Sequence, residues 1–234
     1  MDPWLKPLEK QIELLVKHPH QQEIAMNAKR FSIRDWAEKL LLSLFFKQYY
    51  PYERVMLEVK NFASDGPILD IGGGGEGVIG RLKGSQVVAI DLYQEELDEA
   101  PVGPQKIVMD ARQLTFPEDS FGAATAFFSL MYMKTRQDHE RVMQEARRVL
   151  KPRGHLLVWE IDLAERPATS QERYMVRLRY RVGDLEKGTA YGARWPNEAR
   201  GEAYYRQLAR EAGFEHLTTE RTAHLMFLEF IKPG

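Results

Sequence analysis

The sequence predicts an α/β fold, and two observations support this class. An apolar run at 67–71 is typical of a buried parallel strand, and a glycine-rich turn and a helical segment follow it directly. Further β-branched runs then alternate with helical segments, which is the pattern of a parallel sheet with crossover helices. These later strands are predicted at 86–90, 106–109, 122–128 and 155–161, with a helix at 135–150 before the last of them.

The turn after the first strand contains four consecutive glycines, 72–75. Residues without Cβ let the backbone turn sharply and approach a ligand closely. The helix that follows presents unpaired N–H groups and the positive end of its dipole, which suit a phosphate or a carboxylate. Gly72, Gly73 and Gly74 are therefore candidates for binding a nucleotide cofactor.

These glycines alone leave the identity of the cofactor open. Gly72, Gly74 and Gly77 satisfy the G-x-G-x-x-G spacing of dinucleotide-binding proteins. Asp91 ends the second strand at about the distance that this fingerprint requires, and a carboxylate there accepts hydrogen bonds from both ribose hydroxyls. An NAD(P)-dependent oxidoreductase is one interpretation. A glycine turn that only packs a helix on a strand is another.

The order of the motifs that follow along the chain distinguishes between these interpretations. Asp110-Ala111 follows the third strand, and the helix-to-strand turn at 148–154 reads Arg-Val-Leu-Lys-Pro-Arg-Gly. Together with Leu69–Gly74, Ile90-Asp91 and the fourth-strand segment at 121–133, these motifs resemble the class I S-adenosylmethionine-dependent methyltransferases. The resemblance is to the small-molecule branch typified by ubiquinone/menaquinone methyltransferases, and it covers residues 52–162 best.

The resemblance implies a Rossmann-like, doubly wound, seven-stranded mixed sheet. It implies S-adenosylmethionine as the cofactor and a small molecule as the methyl acceptor. Residue by residue, Asp70 corresponds to the family's contact with the methionine amino group and Asp91 to its ribose contact. Asp110 and the amide of Ala111 correspond to its adenine contacts.

The same resemblance suggests three more site residues. Leu92 is expected to pack on the adenine and Phe127 to line the pocket near the sulfonium, although both residue types are also common in cores. Tyr132 is the candidate catalytic residue because it lies at the end of the fourth strand, near the expected methyl group, and packing is its alternative role. A catalytic base is needed only when the nucleophile of the acceptor is protonated. The chain departs from the family pattern at Glu76, where a loop glycine is usual, and at Gly122, where an aspartate is usual.

Two segments are additions to the α/β unit: an N-terminal segment that precedes it and a hairpin that is inserted after its fifth strand. Residues 1–62 show helical spacing, including a last helix over 52–62, and are expected to form an N-terminal helical cap. Residues 63–234 are expected to form the methyltransferase core, with an inserted β-hairpin at about 171–195. The cap and the hairpin are expected to roof the active site and to select the acceptor.

The hairpin's first strand has one apolar and one basic face. Two interpretations of the basic face are open: it binds an anionic acceptor, or it is a solvated surface. Four arginines share it: Arg173, Arg177, Arg179 and Arg181. After the hairpin, Asn197 is expected to cap a helix that ends near residue 212, and a final antiparallel pair is predicted at 216–220 and 224–231.

Composition limits the partners. The chain has 33 Lys+Arg against 34 Asp+Glu, so its net charge is close to zero and produces no strong electrostatic field that would attract a nucleic acid. It has no cysteine, which excludes disulfides and thiolate ligands, and no histidine cluster at metal-ligand spacing, so no metal is expected. The longest apolar run is too short for a bilayer, so we expect a cytoplasmic protein without integral membrane association. The oligomeric state is left open.

A third interpretation is a catalytically silent methyltransferase-like subunit that binds a partner. The intact Gly72, Gly74, Asp91 and Asp110 argue against it, because a silent copy need not retain them. An oxidoreductase, in turn, would not require Asp110-Ala111 or the turn at 148–154.

Overall fold

The computed structural model describes residues 47–234, and their larger sheet contains seven strands in the order β10-β11-β7-β6-β3-β4-β5. The strands from β7 to β5 are parallel neighbours, and β11 and β10 are added antiparallel at one edge. This is the mixed, doubly wound, Rossmann-like sheet that was expected. Its strands are β3 (Ile68–Ile71), β4 (Val87–Asp91), β5 (Gln105–Val108), β6 (Phe121–Phe127), β7 (Leu150–Ile161), β10 (Glu215–Thr222) and β11 (Leu225–Ile231).

Helices cover both faces of this sheet. The first face packs against α1 and α2, and the second face against α3 and α4, through two separate apolar clusters. Alternate residues of each strand enter alternate clusters, as the pleat requires: Ile68 lies in the first cluster and Leu69 in the second. The helices are α1 (Val78–Lys83), α2 (Gln94–Glu99), α3 (Arg136–Val149) and α4 (Glu202–Glu211), with 3-10 turns at Gly84–Gln86 and Leu130–Tyr132.

The start of α3 agrees with the sequence, and the start of α4 does not. Thr135 caps α3, since its hydroxyl accepts a hydrogen bond from the amide of Asp138 at 3.1 Å and closes a capping box. The predicted cap at Asn197 is wrong, because α4 begins only after Gly201. The backbone of Arg200 is held extended by two hydrogen bonds to Leu163, which delays the helix.

A second sheet of the described range contains four strands. The predicted hairpin at 171–195 corresponds to its β8 and β9, and β1 and β2 both pair in parallel with β8. The apolar side of β8 joins the cluster on the first face of the larger sheet. The strands are β1 (Tyr49–Pro51), β2 (Val55–Glu58), β8 (Arg173–Val182) and β9 (Leu185–Arg194).

The predicted helix over 52–62 is wrong, because β2 occupies part of it. Val55, Leu57 and Val59 are buried, whereas the residues between them are exposed, so the period is that of a strand. The helical spacing fitted this short segment equally well, and pairing with β8 decides between the two. The rest of the predicted cap, residues 1–46, lies outside the described residues, and its boundary at 62 stays a prediction.

Within residues 47–234, the helices are too short and too polar to cross a bilayer.

Candidate active site

The glycine loop connects β3 to α1 at the carboxyl edge of the larger sheet. The amides of Gly72 and Gly73 donate to the carbonyl of Ile90 at 2.9 and 3.0 Å, which anchors the loop to β4. Gly72 and Gly77 have φ values of 72° and 52°, in the left-handed region that favours glycine. The loop's shape therefore depends on glycine at these two positions.

Gly73 and Gly74 are constrained by close approach. A Cβ on Gly73 would lie 2.7 Å from Oδ2 of Asp70, and one on Gly74 would lie 2.8 Å from Oδ2 of Asp91. Gly74 does not have a positive φ, so the close side chains rather than the backbone conformation require glycine at this position. The structure thus gathers Asp70, Gly73, Gly74 and Asp91 around one loop.

Asp70 is a buried acid at the base of this loop. Its side chain is 2% exposed, and the hydroxyl of Thr125 on β6 donates to Oδ1 at 2.7 Å. Burial raises the pKa of Asp70 to about 7, the charge of Asp91 adds to this, and the Thr125 hydrogen bond opposes it. A cation placed beside this carboxyl would be stabilised, which fits the family's methionine ammonium.

Asp91 ends β4 beside the loop. Its Oδ1 accepts a hydrogen bond from the amide of Tyr93 at 3.1 Å. Burial raises the pKa of Asp91, and contacts with the amides of Tyr93, Gly74 and Leu92 partly offset this. The carboxylate therefore lies at the loop with an orientation fixed by backbone groups. Leu92, next to it, is 52% exposed and presents an apolar surface.

Asp110 and Ala111 follow β5, next to the end of β4, where the amide of Met109 donates to the carbonyl of Asp91 at 2.9 Å. Arg112 holds the Asp110 carboxylate with two bonds, from Nε to Oδ1 at 3.0 Å and from Nη2 to Oδ2 at 2.7 Å. These hydrogen bonds keep the pKa of Asp110 below its usual value. The sequence reasoning missed this pair, although Arg112 is only two residues away.

Phe127 lies between the two sheets rather than in an open pocket. Its ring is 8% exposed, and the ring centroids of Trp159 and Tyr180 lie 5.7 and 6.5 Å from its own. This position supports the core role that was the alternative, while any contact with a sulfonium stays a prediction.

Tyr132 lies on the 3-10 turn after β6, and its side chain is 48% exposed. Burial raises the pKa of Tyr174 and of Tyr191 on the second sheet, and the charge of Tyr132 adds to both shifts. The turn that carries Tyr132 is close to the end of β6. This is where the sequence placed a candidate catalytic group, and its role stays a prediction.

Three buried side chains fix the turn that carries Tyr132, and the sequence reasoning missed all three. Oε1 of Glu160 accepts from the amide of Met131 at 3.0 Å. Nε2 of His139 lies 3.0 Å from the carbonyl of Leu130. Arg200 donates from Nη1 to the carbonyl of Met133 at 2.6 Å and from Nη2 to the next carbonyl at 2.9 Å. A charged residue within an apolar strand, as at Glu160, was the available signal.

Glu160 is fully buried, and its Oε2 has no hydrogen-bond partner among the described residues. Burial raises the pKa of Glu160 to about 8, and the hydrogen bonds with backbone amides and the charge of Arg200 reduce the effect. Near neutral pH this group is therefore mainly a protonated acid.

We expect Glu160→Gln to change how stability depends on pH. The pKa of Glu160 is about 8 in the folded protein, against 4.5 for a free side chain, so the folded state holds an extra proton between these values. Its stabilising contribution is complete below pH 4.5 and is lost as the pH rises through about 8, by up to about 1.4 kcal/mol per unit.

Urea unfolding from pH 5 to 9 should therefore show wild type losing stability relative to Glu160→Gln as pH rises, with the buried acid as the cause. Gln retains an oxygen that accepts from Met131. A difference between the two proteins that does not vary with pH would contradict the assignment.

The basic face of β8 is directed away from the larger sheet, since the alternate residues Tyr174, Leu178 and Tyr180 are the buried ones. Arg179 and Arg181 both bond to Glu186 on the returning strand, at 3.1 and 2.9 Å. These contacts favour the solvated-face interpretation over an anion-binding role.

The strand order, the glycine loop after β3 and the acidic residues that follow β4 and β5 define a class I methyltransferase fold. Residues 69–158 match the family model described as a methyltransferase domain. This segment is therefore a methyltransferase domain, and its fold is that of the S-adenosylmethionine-dependent methyltransferases, whose cofactor is S-adenosylmethionine. The expected class is confirmed, and the dinucleotide interpretation is not favoured.

Curated relatives resemble part of the chain. The ubiquinone/menaquinone biosynthesis C-methyltransferase UbiE of Marinomonas sp. (strain MWYL1) is 33% identical over 56% of this chain and 58% of its own length. The mitochondrial 2-methoxy-6-polyprenyl-1,4-benzoquinol methylase of Homo sapiens is 27% identical over 59% of this chain and 46% of its own length. The chain thus spans about half the length of these relatives.

A solved S-adenosylmethionine-dependent methyltransferase of Methanosarcina mazei has the same fold. The TM-score is 0.56 at 21% identity, and the match covers 76% of this chain and 99% of that one. This likeness confirms the Rossmann-like architecture.

Proposed function

We propose that this protein transfers a methyl group from S-adenosylmethionine to a small-molecule acceptor. The observation that carries the proposal is the position of Asp91, which ends β4 and lies against Gly74 of the glycine loop. A carboxylate held there by backbone amides accepts hydrogen bonds from the two ribose hydroxyls of a nucleoside cofactor.

The other predicted site residues contact different parts of the cofactor. Asp70 faces the loop from inside the sheet and receives the ammonium of the methionine part. Asp110 and the amide of Ala111, one strand further along, hold the adenine, against which Leu92 packs. When bound, the sulfonium supplies a methyl group already activated for in-line displacement. The protein's tasks are then to align the acceptor and to exclude water.

Tyr132 is the side chain proposed to meet the acceptor. It is half exposed on a turn that Glu160, His139 and Arg200 hold by hydrogen bonds, so its position is well defined. The phenolate form of this side chain can accept a proton from the acceptor, and the neutral hydroxyl can orient the acceptor by a hydrogen bond. The second sheet adds aromatic surface near by, with Tyr191 stacked on Phe128.

The acceptor that this surface fits best is a planar, hydroxylated ring. The names of the relatives point to quinone-type compounds, and aromatic walls bind such rings well. The nearly balanced charge favours a small molecule over a nucleic acid. A cytoplasmic location stays part of this proposal.

The proposal is tested with S-adenosylmethionine carrying a labelled methyl group and a mixture of metabolites that includes hydroquinones. We expect label in a hydroxylated aromatic product, and Tyr132→Phe should lower the rate by about 10²-fold, because the variant lacks the group that takes the acceptor's proton. Binding of S-adenosylmethionine with no transfer to any compound in such mixtures would contradict the acceptor class.

Cofactor affinity should rise with pH until about pH 7, where Asp70 titrates. Binding an ammonium beside Asp70 favours its ionised form, so a proton must leave below this pKa, and affinity should increase by up to about tenfold per unit. Titration calorimetry at several pH values below 7 measures this slope. Asp70→Asn should bind weakly with little slope, whereas the surface variant Asp98→Asn should behave as wild type. An equal slope in Asp70→Asn would refute the role of Asp70.

A further inference from the structure

The second sheet contacts the cofactor loop directly. The hydroxyl of Thr189 on β9 donates a hydrogen bond to Oε1 of Glu76 at 2.7 Å. Glu76 is the position at which this chain departs from the family's usual loop glycine. The carbonyl of Glu76 also accepts from Nε of Arg81 in α1 at 2.8 Å, so both ends of this residue are held.

A second contact lies two residues further along β9. The ring of Tyr191 stacks on Phe128 with a centroid distance of 5.3 Å and an angle of 11° between the rings. Phe128 follows β6 directly and has a φ of 51°, a strained conformation for a bulky residue that its surroundings must hold in place. Thr189 and Tyr191 point to the same side of β9, as alternate residues of a strand do.

These contacts bracket the place proposed for the methionine part of the cofactor. The loop after β3 and the end of β6 are packed together there, because Oγ of Ser129 donates to the carbonyl of Ile71 at 2.6 Å. One β9 residue touches the loop and the other touches the residue after β6. The inserted hairpin therefore borders the cofactor site as well as the acceptor side.

We propose that Glu76 and Thr189 are a pair of positioning residues that join the cofactor loop to the second sheet, so that cofactor binding and the order of β9 depend on each other. This inference rests on the proposed function. Without the hydrogen bond, the loop occupies its binding conformation for a smaller fraction of the time, and the apparent affinity falls by that fraction. The effect on β9 is the reciprocal one.

The test is a double-mutant cycle on the binding of S-adenosylhomocysteine, measured by calorimetry with Glu76→Ala, Thr189→Val and the double variant. Each single variant should bind about fivefold more weakly, the loss expected for one hydrogen bond. The double variant should bind no more weakly than either single one. Glu76→Gln and Thr189→Ser retain the acceptor and the donor and should bind nearly as wild type.

Amide hydrogen exchange supplies a readout that a merely structural role would not change. In wild type and in the control Lys187→Gln, an exposed change on β9, S-adenosylhomocysteine should slow exchange across 187–193. In Glu76→Ala it should slow exchange in the loop but not in β9.

Two outcomes separate the inference from the function on which it rests. Suppose that wild type binds S-adenosylhomocysteine, but the affinity losses of the two single variants multiply in the double variant. The coupling is then refuted and the proposed function stands. The same conclusion follows if cofactor affinity and β9 exchange are unchanged in Glu76→Ala. If wild type does not bind S-adenosylhomocysteine, the proposed function itself fails.

Discussion

Replacing Asp91 with Ala should weaken S-adenosylmethionine binding by at least about tenfold without unfolding the protein. The change removes two charge-assisted hydrogen bonds to the ribose, each worth about 1.5–3 kcal/mol. The fold should survive, because Asp91 is partly exposed and burial already disfavours its charge. Calorimetric titration of the variant, with circular dichroism to check folding, measures the effect.

Asp98→Ala is the matched control for this experiment. Asp98 lies on α2, close in sequence to Asp91, and its exposed carboxylate accepts a hydrogen bond from the side chain of Gln94 at 2.8 Å. It should bind the cofactor as wild type does. A folded Asp91→Ala variant with the affinity of wild type would disprove the ribose assignment.

Gly74→Val should abolish cofactor binding. A Cβ at this position would lie 2.6 Å from Cβ of Glu96 and 2.8 Å from Oδ2 of Asp91, so a branched side chain must displace the loop, α2 or the Asp91 carboxylate. Any of these movements disturbs the proposed ribose contact. Calorimetry on the folded variant should show no binding at concentrations that saturate wild type.

Gly188→Val is a suitable comparison, because a Cβ there meets open space and the residue has no positive φ. It lies in a strand, where a β-branched residue is favourable. If Gly74→Val folds and binds as tightly as Gly188→Val, the constraint at Gly74 does not reach the cofactor site.

The parts of the fold that local patterns specify were predictable. The strand ending at Ile71, the glycines after it and Asp91 at the next strand end form one continuous signal, because strand, turn and helix start each have their own residue preferences. The start of the helix near Thr135 was predicted from the same kind of evidence, and the structure shows a capping box there. The mixed sheet follows from the succession of these units.

The segment at 55–58 was not predictable in this way. Four residues cannot distinguish a strand from a helix turn by periodicity, and its state depends on pairing with β8, which is more than one hundred residues away in the chain. The same holds for Asn197, a good cap by type, whose segment is held extended by the bridge between Arg200 and Leu163.

The candidate site was likewise predictable only in part. The acidic residues at the ends of its strands could be identified from the sequence, whereas the groups that support them come from distant elements. Thr125 bonds to Asp70, and Glu160 and Arg200 hold the turn of Tyr132, across separations that no local motif records. Such contacts depend on the assembled sheet, so only the structure reveals them.

The central claim is that the loop after β3 and the acids near it bind S-adenosylmethionine. Calorimetric titration of the wild-type chain with S-adenosylmethionine, S-adenosylhomocysteine and NAD in parallel tests this most directly. We predict one site that binds the first two and does not bind NAD. Binding of NAD, with no heat from either S-adenosyl compound, would contradict the account.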